Sequence, residues 1–141
     1  MELVHLNDAN FKEETKEGIV VVDFFATWCG PCKILGPIME DVQKELSNVK
    51  IFKVDVDENE QTARDFGIMS IPTIVVLKDG VEIDRHVGLM NRDSLVEWIS
   101  EKWFRSQLIL CYLINFIELK LSLLKRLFYF IKLILYSILT I

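Results

Sequence analysis

Residues 19–26 read Ile-Val-Val-Val-Asp-Phe-Phe-Ala, one apolar run that is β-branched and aromatic and is broken only by Asp23. A half-buried strand alternates apolar and polar side chains, and this run does not alternate. It therefore predicts a strand covered on both faces. That requirement constrains the chain strongly, because a doubly covered strand needs a sheet with helices on either side.

The neighbouring segments supply the layers. Residues 3–6 read as a short strand, and Asn7 or Asp8 is placed to cap a helix through about Lys16. Residues 29–46 carry Ile34, Leu35, Ile38, Met39, Val42 and Leu46 at helical spacing, with Pro37 as an internal kink. Residues 50–56 predict a second buried strand, and 59–66 a short helix capped by Asn59. Residues 73–78 predict a third core strand. Asp79-Gly80 is a two-residue hairpin signal leading into 81–87. Asn91 then caps a last helix with Leu95, Val96, Trp98 and Ile99 on its apolar side. The order β-α-β-α-β-α-β-β-α predicts an α/β fold. Its central mixed β-sheet is parallel where strands alternate with helices and gains an antiparallel edge from the hairpin.

Composition divides the 141 residues at Trp103. Residues 1–103 carry a net charge of -9 and residues 104–141 a net charge of +4, which together give -5. Every Gly, Pro, Val, Ala, Asp, Trp and Met precedes the boundary, and all three Tyr follow it. We therefore expect one domain over 1–103 and a separate hydrophobic, basic extension over 104–141. The acidic domain lacks the basic patch of a nucleic-acid binder. Its first residues, Met-Glu-Leu-Val-His, have neither the basic nor the apolar region of a secretory signal. They predict a cytoplasmic protein, in a compartment that keeps thiols reduced.

Chemistry concentrates in Trp28-Cys29-Gly30-Pro31-Cys32-Lys33. A C-x-x-C that follows a strand and opens a helix puts Cys29 where unpaired N–H groups and the helix dipole favour a thiolate. Cys32 lies about one turn on, so the two sulfurs can close a small ring, and Pro31 sits where its missing N–H costs nothing. Cys29 can attack a disulfide, and Cys32 can resolve the mixed disulfide. Half of a zinc site is the other use of such a pair. It needs two more ligands, and only Cys111, His5 and His86 remain. Asp23 is an acid inside an apolar strand. It must be paired, protonated or in use, unless it ends the strand facing solvent. Burial would raise its pKa toward that of a group exchanging protons with Cys32. Lys53 is equally compatible with a plain surface charge. Trp28 and Pro31 fit an apolar platform beside the thiol, or simple packing.

As a set, these residues resemble the thioredoxin family over about 2–103. Cys29-Gly30-Pro31-Cys32 matches its redox motif. Asp23 matches its buried carboxylate, Lys53 the nearby lysine, Pro37 the helix-kinking proline, and Ile71-Pro72-Thr73 the segment with a cis proline facing the cysteines. Gly80 and Gly88 fall at its glycines, and Phe25 stands where many members have Trp. The resemblance implies a thioredoxin fold and a protein disulfide reductase that keeps protein thiols reduced. Cys29, Cys32, Asp23 and Lys53 would form its reactive centre. Trp28, Gly30, Pro31, Ile71, Pro72 and Gly88 would form its docking surface. It also implies no bound cofactor beyond the redox-active disulfide, with reduction by an NADPH-dependent flavoprotein, a thioredoxin reductase. A Gly-Pro dipeptide, without histidine, favours a reductant over an oxidase or isomerase. A non-catalytic binding subunit is the competing role.

Three readings fit the extension. Its longest uncharged runs, 106–117 and 133–141, have twelve and nine residues, short of the roughly 18–20 needed to span a bilayer. On a helix, polar residues from Gln107 to Thr140 gather near one stripe, as in a cationic helix lying on an anionic membrane. The third reading is a frameshift, since its Leu, Ile, Phe, Tyr, Lys and Asn have AT-rich codons while Gly, Ala and Pro are missing. Cys111 is then a bystander thiol.

Overall fold

The computed structural model describes residues 3–105. The chain divides into two units, Met1–Trp103 and Phe104–Ile141. The expectations about a span, an interfacial helix and Cys111 concern residues outside the described ones. No helix among the described residues is long and apolar enough to cross a membrane.

The first unit is built on five strands, β1 (Val4–His5), β2 (Ile19–Phe25), β3 (Lys50–Asp55), β4 (Thr73–Lys78) and β5 (Val81–Val87). They lie in the order β1-β3-β2-β4-β5. All seven residues of β2 are buried, as its unbroken apolar run requires. Helices α1 (Phe11–Thr15), α2 (Gly30–Glu45) and α3 (Glu60–Asp65) connect the strands. Residues 92–105 form a further helix, α4.

Period-two alternation sorts the core into two layers. One face of the sheet carries Leu3, Val21, Ile51, Ile74 and Val76 against Leu35, Met39 and Val42 of α2 and Leu95 and Ile99 of α4. The other carries Val20, Val22, Phe24, Phe52, Val54, Val75 and Leu77 against Phe11 of α1. Phe11 and Phe24 both pack against Phe66, at 5.2 and 5.7 Å between ring centroids.

Strand direction departs from the simple alternation rule. β1 and β2 run parallel to β3, but β4 is antiparallel to β2 as well as to β5. The antiparallel part thus begins inside the sheet and not only at its hairpin edge. Helix length explains it. The 16 residues of α2 span about 24 Å, enough to return along a strand and deliver β3 parallel. The six residues of α3 reach only about 9 Å. The chain stays at one end of the sheet, Thr73 starts opposite Phe24, and β4 must run back.

The hairpin forms as the sequence predicts, with Asp79 and Gly80 both at positive φ, 50° and 79°. Asn91 caps α4 by accepting from the Ser94 N–H at 2.9 Å. The other two caps are redistributed. Asn59 makes no side-chain cap to α3; its Oδ1 accepts from the Asp8 N–H at 3.0 Å. Asp8 instead supplies the cap, accepting from the Thr62 N–H at 2.9 Å and the Thr62 hydroxyl at 2.6 Å. Asn7 folds a turn before α1, accepting from the N–H groups of Ala9 and Asn10.

Candidate functional site: a redox dithiol at the start of α2

β2 ends at Phe25, and after four more residues the chain enters α2 at Gly30. Cys29 is the N-cap of that helix, with extended backbone (φ -76°, ψ 112°), and Pro31 lies in the first turn. The Cys32 N–H donates to Cys29 Sγ at 3.2 Å. Helix geometry places the two sulfurs one turn apart, and they are joined as a disulfide with S–S 2.01 Å. Both cysteines are almost fully covered, 4% and 3% exposed, by a small cluster that includes Phe25, Ala26 and Ile71. Gly30 and Pro31 are exposed beside them. Two electrons and two protons would open this ring to a dithiol, with the Cys29 sulfur already at an N–H donor.

The loop before β4 adds Ile71, which packs against the cysteine cluster. The Ile71–Pro72 bond is cis, and the Pro72 carbonyl accepts from the Gly88 N–H at 2.8 Å. Gly88 has φ 103°, a conformation that suits a residue without Cβ. Ile71, Pro72 and Gly88 thus come together from distant parts of the chain.

Asp23 lies two residues before Phe25, on the same face of β2 and at the centre of the sheet. It is 0% exposed, and neither carboxylate oxygen has a hydrogen-bond partner among the described residues. It does not end the strand at solvent. Burial drives its pKa up to about 7, partly opposed by the charge of Lys53. Lys53 sits opposite Asp23 in the β2–β3 register. Its ammonium stands 4.3 Å from the centre of the Phe25 ring. It is therefore half-buried against the site rather than a plain surface charge. Among the described residues no cluster of three His, Cys, Asp or Glu gathers as a metal site would need. His5 rests on Phe25 and His86 on Trp98.

Two features escape sequence reading. The exposed Trp28 donates its indole N–H to Asp57 Oδ2 at 2.7 Å, a pairing fixed by folding across 29 positions. Met69, 94% exposed, lies two residues before Ile71, and Leu89 follows Gly88 and is also exposed. Exposed apolar residues flanking Ile71 and Gly88 are the signal, but exposure is not legible in sequence.

A sheet of this order, with a redox-capable Cys pair capping the helix after its central strand, defines a thiol-disulfide oxidoreductase. The thioredoxin family model matches residues 2–101. The chain is 45% identical to "Thioredoxin" of Bacillus subtilis (strain 168) over 102 residues, covering 72% of this chain and 98% of that one. It is 50% identical to "Thioredoxin" of Chlamydia muridarum (strain MoPn / Nigg) over 92 residues, 65% and 90% of the two chains. "Thioredoxin" of Listeria monocytogenes serovar 1/2a is 45% identical over 97 residues, 68% and 94%. The chain belongs to the thioredoxin family. Its chemistry is disulfide reduction through the redox-active Cys29–Cys32 pair, acting on disulfide-containing proteins and restored by a reductase.

Proposed function

We propose that Cys29 is the attacking thiol and Cys32 the resolving one. In the reduced protein the Cys29 thiolate attacks one sulfur of a substrate disulfide. A Cys29–substrate bond forms, and the other substrate sulfur leaves as a thiolate and takes up a proton. Cys32 loses its proton, attacks Cys29 Sγ and expels the second substrate thiol. The Cys29–Cys32 disulfide is the oxidised product. The observation that carries this assignment is the position of Cys29 at the N-cap of α2 with an N–H already aimed at its sulfur.

Asp23 takes the Cys32 proton. In support, it is the buried acid of the central strand, it titrates near neutral pH, and its oxygens are not engaged elsewhere. Lys53 favours the ionised form of Asp23 and limits the shift that burial imposes. Trp28, Gly30, Pro31, Ile71, Pro72 and Gly88 form the surface on which an extended substrate segment lies. The partner that returns electrons is an NADPH-dependent flavoprotein, and the protein works in the cytoplasm.

The test is a pair of variants given a protein disulfide. Cys29→Ser should abolish reduction, whereas Cys32→Ser should accumulate a covalent mixed disulfide through Cys29. Mixed disulfides trapped through Cys32 in the Cys29→Ser protein would reverse the assignment.

A further inference from the structure

The strand registers set side chains of unlike chemistry in one row. His5 pairs with Lys53, and Lys53 with Asp23, on the face that α2 covers. Phe25, two residues past Asp23 on that face, joins them. The Lys53 ammonium lies 4.3 Å from the ring centre. The His5 imidazole meets the same ring at 5.4 Å between centroids, with the planes 83° apart. Phe25 is buried while His5 is exposed at the sheet edge. A single buried ring thus carries the cation that faces the carboxylate, and it is braced by an exposed histidine.

We propose that His5 is a positioning residue for the reaction, holding the Phe25 ring and, through it, the Lys53 ammonium beside Asp23. This rests on the proposed proton transfer by Asp23. Lys53 has a long flexible stem and makes no hydrogen bond to Asp23, so its place is decided by what surrounds its ammonium. The Phe25 face is one side. Gly36 of α2 is another, since a Cβ there would stand 3.4 Å from Nζ. His5 supplies the brace from β1, a strand of only two residues.

The other groups on this face are few. Asp55 follows Lys53 on β3, with Oδ1 accepting from the Asp57 N–H. Glu40 lies a turn beyond Gly36 on α2 and is half-buried. β4 contributes the apolar Ile74 opposite Asp23. On β5, His86 pairs with Ile74 and packs against Trp98 of α4. Lys53 is therefore the cation on which the Asp23 charge depends, and a Coulomb attraction to a buried carboxylate changes steeply with the position of the cation.

The experiment follows the Asp23 carboxyl carbon by NMR through a pH titration of the full-length oxidised chain. His5→Ala should move the Asp23 midpoint upward by about 0.3–0.5 pH unit, part of the worth of an aromatic edge contact. His5→Phe, which keeps a ring on Phe25 without a charge, should restore the parent midpoint. In a Lys53→Met background, His5→Ala should produce no further shift. An unchanged midpoint in His5→Ala overturns the proposal. So does an equal shift in His5→Phe, or one that survives Lys53→Met. Failure of the Asp23 role shows separately: Asp23→Asn would then leave the rate of Cys32 attack unchanged, while the His5 titrations still read as described.

Discussion

Burying Asp23 in the central strand raises its pKa from 3.8 to about 7. Between those values the folded protein keeps a proton that the unfolded chain releases. Stability therefore falls as pH rises from about 4 to 7 and stays reduced above. Asp23→Asn should then be more stable than the parent at pH 8, by about 4 kcal/mol at most, and near parity at pH 4. Urea unfolding of the oxidised protein at both pH values measures this; equal differences at both would refute it. The same substitution should slow Cys32 attack at pH 7 by about 10- to 100-fold, since a fraction of the thiol ionises without help. A stopped-flow pH profile should lose its rise near pH 7. Gly36 is a second position where a substitution should stabilise. It sits inside α2, where an added Cβ would make an ordinary contact with the Lys53 Nζ at 3.4 Å, so Gly36→Ala should stabilise by about 0.5–1 kcal/mol in the same unfolding assay. Cys29, Cys32 and Asp23 were legible as local patterns: a motif at a strand–helix junction, and an acid in an apolar run. The bond from Trp28 to Asp57 and the seat of Lys53 on Phe25 were not, because each depends on register between strands.

Elements form from local signals but are finished by distant ones. The Asp79-Gly80 turn and the Asn91 cap work within a few residues, and both were readable. α3 takes its N-terminal cap from Asp8, 54 positions from Thr62, and no local pattern could announce that. Asp8→Ala should cost about 1–2 kcal/mol, the usual worth of an N-cap. It should do so while leaving disulfide reduction intact, because α3 stands apart from the cysteines in the core clusters. Guanidinium unfolding, paired with an activity assay, separates the two effects. The direction of β4 belongs to this scale too. Alternating strands and helices suggested a parallel core, but a six-residue helix cannot carry the chain back along the sheet.

At the scale of the molecule, 102 residues of this chain account for 98% of the Bacillus subtilis relative. The requirements of the family fold are thus met before most of the hydrophobic extension is reached. A chain ending after Arg105 should reduce a protein disulfide at the full-length rate, measured on purified protein; loss of activity would assign the extension a part in the chemistry.

Sequence by itself determined the layers, the order of elements, the redox pair and the buried acid, because each rests on periodicity or on neighbours along the chain. Tertiary structure decided the rest. It turned β4 antiparallel, packed Ile71 against the cysteines and joined Pro72 to Gly88, set Asp8 on α3, and lined up His5, Lys53 and Asp23 across three strands. Those pairings depend on register and on connection geometry, which exist only when segments far apart in sequence meet.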